Sequence, residues 1–139
     1  MSEPTEPAGP ALIDTNVVID LGSGLAPEAL PDGALYLSAI TLAELSAGVT
    51  AARTPDDQAA RLRRLQWVES SFAPVPFDAE AARFYAQIYA RVRAEGRQPR
   101  RRLADLQIAS IAGAHGWPLV TRNPADFTGL DSLIELVAV

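Results

Sequence analysis

Short apolar runs punctuate this chain, and most of the segments between them carry the signals of helices. Ala11-Leu12-Ile13 is the first run, and residues 34–37, 117–120 and 133–137 hold others; Val75 and Phe77 suggest a further short strand between prolines. Runs without polar alternation fit strands buried on both faces, as in a parallel sheet. The helical signals are equally local. Asn16-Val17-Val18-Ile19 starts a short helical turn that stops near Gly22-Ser23-Gly24, and residues 27–33 read as a loop. Ser38 can cap a helix through Leu42, Leu45 and Val49. Thr54-Pro55-Asp56-Asp57 opens another, with Leu62, Leu65, Val68 and Phe72 at helical spacing. Asp78 caps a long helix carrying Ala82, Tyr85, Ile88, Tyr89 and Val92, which Gly96 ends. Residues 97–102 form a basic loop, and a mostly apolar helix from Leu103 to His115 is closed by Gly116. Strands separated by helices predict an α/β domain around a central parallel β-sheet.

At 139 residues the chain suits one domain, expected over residues 11–139 behind a flexible, acidic and proline-rich tail over residues 1–10. That tail lacks the character of a signal peptide, and no apolar run approaches the ~20 residues that cross a bilayer, so a cytoplasmic protein without membrane contact is expected. Cysteine is absent, which excludes disulfides, thiolate zinc sites and a cysteine nucleophile. All twelve basic residues are arginine. Without lysine there is no P-loop and no Schiff base. The single histidine, His115, excludes a two-histidine ribonuclease mechanism and reads as a helix-terminal residue favoured by the dipole. The net charge of −5 leaves no general basic footprint for nucleic acid, so the distribution of charge matters more than its total.

Four acids stand where such a sheet would gather them. Ligands of open parallel sheets sit at the carboxyl ends of the strands. Asp14 follows the first strand directly, and Glu44 lies in the first turns of the helix leaving the second. The helix from Leu103 returns to the next strand through the Gly116 turn, so its start, with Asp105, lies where that strand finishes. Asp126 follows shortly after that strand. Carboxylates ~4 Å apart repel by about 1–4 kcal/mol per pair at effective dielectrics of 20 to 80, so the cluster calls for a cation. Oxygen donors without histidine or cysteine select Mg2+ or Mn2+ over zinc. Such an ion can activate a water against a phosphodiester.

These residues resemble the PIN-domain nucleases, and among them the VapC-type toxins of type II toxin–antitoxin pairs. The matching segments are Leu12-Ile13-Asp14-Thr15-Asn16-Val17 and Ala43-Glu44-Leu45-Ser46-Ala47-Gly48. Further on come Leu103-Ala104-Asp105-Leu106-Gln107-Ile108-Ala109 and Leu119-Val120-Thr121-Arg122-Asn123-Pro124-Ala125-Asp126-Phe127. Each motif alone is weak, but all four in this order are specific. The resemblance implies a PIN-like three-layer sandwich, a central parallel sheet between helices, and hydrolysis of RNA to products with a 5′-phosphate and a 3′-hydroxyl. It implies Asp14, Glu44 and Asp105 as the central metal-site acids and Asp126 as the more variable fourth. Asn16, Thr121 and Asn123 fit positions that hold ligands or water in place. Several relatives carry an acid where this chain has Asn123, which leaves one-ion and two-ion chemistry both open. A homodimer and a cognate antitoxin covering the site are implied as well.

Arg100, Arg101 and Arg102 precede the helix that presents Asp105, where they could grip RNA phosphates or form a solvated charge run. Arg61, Arg63 and Arg64 read as an exposed helix face. Trp67, Phe84, Tyr85 and Tyr89 read as core or interface residues. Two other functions stay open at this point. A magnesium-dependent phosphatase would use Asp14 as nucleophile, although its usual second acid is replaced by Asn16 and its usual lysine is missing. A non-catalytic PIN-like binding module would keep the fold alone.

Overall fold

The computed structural model describes residues 9–21 and 23–139, so most of the expected tail, residues 1–8, lies outside the described residues. Among the described residues, nine main elements follow in order: β1 (Ala11–Ile13), α1 (Thr15–Asp20), β2 (Leu35–Leu37), α2 (Ala39–Ala51), α3 (Pro55–Ser71), α4 (Ala79–Ala94), α5 (Leu103–His115), β3 (Leu119–Thr121) and β4 (Leu136–Ala138). Short 3-10 turns cover Pro27–Ala29, Pro99–Arg102 and Pro124–Phe127. All strand pairings are parallel, in the order β2-β1-β3-β4. Ile13 pairs with Leu37 on one side and with Val120 on the other.

Alternation along these three-residue strands divides the interior in two. Leu12 and Leu119 point into a core shared with α4 and α5, which includes Ile88, Leu106, Ile108 and Phe127. Ala11, Ile13, Leu37 and Val120 point the other way, toward Val17, Leu45 and Val68 of α1, α2 and α3. The sheet is therefore sandwiched between two helical layers, as expected. Its central strand β1 is fully buried, which explains a run with no polar member.

The helices begin where local chemistry placed them. Asp14, Ser38, Thr54 and Asp78 each accept a backbone N–H of the helix they cap. Gly116 ends α5 at φ +69°, a left-handed conformation that a Cβ would strain. Gly113 lets α5 approach α4 closely: a Cβ there would fall 2.2 Å from Phe84 Cε1.

Three expectations are corrected. Val75 and Phe77 form no strand. Val75 makes an isolated bridge to Ser38, donating to Leu37 O and accepting from Ala39 N, each at 2.8 Å. Pro74 and Pro76 lack the N–H groups that would extend it. The last strand begins at Leu136 rather than Leu133, because Leu133 and Ile134 close turns onto Leu130 O. The basic loop over residues 97–102 ends in the 3-10 turn Pro99–Arg102.

Candidate active site

The strand order turns outward on either side of β1, and the crevice between β1 and β3 opens at their carboxyl ends. Asp14 and Thr121 face each other across it. Asp14 is 2% exposed. Its Oδ1 accepts from Thr15 N at 2.8 Å, and its Oδ2 accepts from Thr121 Oγ1 at 2.9 Å. Burial pushes the Asp14 carboxyl up to about 6, and the Asp105 and Glu44 charges push the same way. The two hydrogen bonds oppose the rise but do not cancel it.

Glu44 stands on the exposed side of α2, and its Oε1 accepts from Thr15 Oγ1 at 2.8 Å. Thr15 Oγ1 has one proton, and Glu44 takes it. The 2.9 Å contact between Thr15 Oγ1 and Thr41 Oγ1 therefore has Thr41 as donor. Ser38 Oγ in turn donates to Thr41 Oγ1 at 3.2 Å while accepting from Thr41 N at 3.0 Å. A row of three hydroxyls thus runs from the α2 cap to the Glu44 carboxylate.

Asp105, in the first turn of α5, is half-buried, and its carboxyl is raised by burial and by the Asp126 and Glu44 charges. Arg102 works against that rise. Its Nη1 lies 3.6 Å from Asp105 Oδ2 and pairs directly with Asp126 Oδ1. Asp126 Oδ2 accepts from Asn123 Nδ2 at 3.1 Å. Asn16 and Asn123 also meet at Thr121, whose Oγ1 accepts from Asn16 Nδ2 at 3.4 Å and Asn123 N at 3.1 Å.

The four acids therefore lie along one rim: the charges of Glu44 and Asp105 reach Asp14, and those of Glu44 and Asp126 reach Asp105. Among the described residues, however, no group of three acidic or histidine side chains is drawn together closely enough to hold an ion as it stands. The donor set nonetheless suits a hard divalent cation: it is all oxygen, its two central carboxyls are raised by burial and by neighbouring carboxylates, and a guanidinium already stands in as counter-charge between Asp105 and Asp126.

Two clefts flank this rim. One, of about 470 Å³, includes Arg97, Arg101, Arg102 and Asp126 in its walls; Arg100 is exposed and is not part of them. The other, of about 380 Å³, includes Thr15, Glu44, Arg61 and Arg64. Arg61 is held there by Asp57 and by donating to Gly48 O at 2.8 Å, so this arginine belongs to a cleft wall rather than to a free helix face. His115 ends α5 and stacks on Trp117, as a helix-terminal residue would. Sequence reasoning read Ser38 only as a helix cap and Thr15 only as a motif member, and it assigned no part in the site to either or to Thr41. The available signal was a hydroxyl directly after Asp14 and another three residues before Glu44, on the same helix face.

The PIN domain family matches residues 11–131, and the chain belongs to that family. Within it the chain is similar to the proteins named VapC. It is 37% identical to Ribonuclease VapC5 of Mycobacterium tuberculosis, over 97% of this chain and 98% of the relative. It is 34% identical to VapC ribonuclease Y4jK of Sinorhizobium fredii, over 86% of this chain and 93% of the relative. Among solved structures, VapBC-5 of Mycobacterium tuberculosis, a member of the VapBC family of toxin–antitoxin systems, superposes with a TM-score of 0.81 at 34% identity, covering 94% of this chain and 98% of that one. FitAcB of Neisseria gonorrhoeae gives 0.73 at 30% identity, over 91% and 95%. Among the described residues, no helix is long and apolar enough to cross a membrane.

Proposed function

We propose that this chain is the toxin ribonuclease of a type II toxin–antitoxin pair, cleaving RNA phosphodiester bonds with Mg2+ or Mn2+ at the Asp14, Glu44, Asp105 and Asp126 rim. The observation that carries this reading is the placement of four acids from separate segments along one sheet edge, with Asp14 held by Thr121, Glu44 by Thr15, and Asp105 and Asp126 bridged by Arg102. A bound divalent ion supplies the positive charge that neutralises the rim and the scissile phosphate, and lowers the pKa of water. Asp14 and Asp105 would be its principal ligands, with Glu44 and Asp126 beside them.

The protein's own part is to hold those groups still. Thr15 N and Thr121 Oγ1 fix the two oxygens of Asp14, and Asn123 fixes Asp126. Thr15 donates to Glu44 Oε1 and so orients the carboxylate, whose remaining lone pairs can accept a proton from an attacking water. Arg101 and Arg102 can bind RNA phosphates beside the rim. The names of the structural relatives support a cognate antitoxin as partner. A homodimer working in the cytoplasm completes the reading, supported by family resemblance.

The deciding experiment is cleavage of RNA in the presence of Mn2+ by purified wild-type protein and by Asp105→Asn. The variant is expected to keep its circular dichroism spectrum and thermal transition and to lose cleavage. A folded Asp105→Asn protein with full activity would overturn the assignment.

A further inference from the structure

The larger cleft does more than border the acids. Its walls include Arg97, Arg101 and Arg102, the last already paired with Asp126, together with the buried Leu106 and Leu130. At about 470 Å³ it has the volume of a small-ligand pocket, in a chain whose net charge is otherwise acidic. Asp126 belongs both to its wall and to the acid rim, so a group lodged in the cleft adjoins the rim directly.

The backbone here is built to present side chains. Gly96, at φ +78°, reverses the chain after α4, and buried Pro99 anchors the 3-10 turn that follows. Arg97 Nη1 donates to Thr128 O at 3.3 Å, tying the end of α4 to the opposite wall. Gln98 lies between these anchors, at the N-cap of the 3-10 turn, and its side chain makes no capping hydrogen bond. Its amide offers a donor and an acceptor side by side at the cleft, the pairing that reads a base edge.

We propose that this cleft receives one unpaired nucleotide of the RNA next to the bond being cut, and that Gln98 selects its base. The exposed Arg97 and Arg101 take the flanking phosphates without regard to sequence, and the Gln98 amide reads the base edge. This inference rests on the ribonuclease reading for its substrate, but binding tests it without catalysis.

The experiment measures fluorescence anisotropy of labelled A, C and U homopentamers of RNA with the full chain in EDTA. Wild-type protein is expected to prefer one homopentamer by about tenfold, a base-edge pair's worth of discrimination. Gln98→Ala should bring the three within about twofold of one another, and Gln98→Asn, which keeps an amide on a shorter arm, should behave alike because it cannot reach. Arg101→Ala should weaken all three by a similar factor and leave the preference in place. Indiscriminate binding by the wild type, or a preference that survives Gln98→Ala, would overturn the proposal. Cleavage by the wild type with Mn2+ is scored separately, so a failed base preference and a failed ribonuclease reading give different results.

Discussion

Asp14→Asn should make this protein more stable, and only above a certain pH. The Asp14 carboxyl is raised from 3.8 to about 6, chiefly by burial. Between those two values the folded protein binds a proton there that the unfolded chain releases. Wild-type stability from this group is therefore intact below about pH 4 and falls as pH rises to about 6. A carboxyl moved from 3.8 to about 6 costs the fold about 3 kcal/mol, in full at pH 7.5. Asparagine removes that charge and still accepts from Thr15 N. Its amide NH2 would face Thr121 Oγ1, which already accepts from Asn16 Nδ2 and Asn123 N, so one hydrogen bond worth about 1 kcal/mol is lost. The net gain is about 2 kcal/mol at pH 7.5, or about 6–8 °C in Tm for a chain of this size. Thermal melts in EDTA from pH 4 to 8 read it directly: the variant should lead at pH 7.5, and the gap should close or slightly reverse near pH 4. A variant that melts below wild type by the same margin at every pH would refute the view of Asp14 as a buried charge kept at the expense of stability.

The counter-ion role of Arg102 predicts that Arg102→Gln binds Mn2+ about fivefold more tightly by calorimetry, the worth of a partly exposed ion pair at about 1 kcal/mol. Unchanged affinity would show that the guanidinium does not compete for Asp105 and Asp126. Gly113→Ala, which drives a methyl into the Phe84 ring, should lower the urea midpoint by an amount worth about 1–3 kcal/mol with the slope unchanged.

What could be read in advance was what depends on neighbours in sequence. Ser38, Thr54, Asp78 and Gly116 mark helix ends through groups within four residues of themselves, and the structure places those ends there. That Asp14, Glu44, Asp105 and Asp126 lie toward one edge was legible because parallel topology sends successive strand ends there, whereas how closely their oxygens approach was not. The strand around Val75 failed, since its pairing depends on Ser38 and on two flanking prolines rather than on its apolar character. Arg102 was placed near the site, but its grip on Asp126, 24 residues away, depends on a long side chain whose reach no spacing encodes. The clefts on either side of the rim, and with them Gln98, are properties of packed surfaces and leave no trace in the order of residues.

The hydroxyl row from Ser38 through Thr41 and Thr15 to Glu44 gives the first turn of α2 a stake in the charge at the rim. Each oxygen has a single hydrogen to give, so every O–H bond in the row must point toward the carboxylate. Unwinding the start of that helix would set Glu44 adrift. Helix start and carboxylate thus stand or fall as one unit, which is a way to keep an exposed side chain in register without burying it.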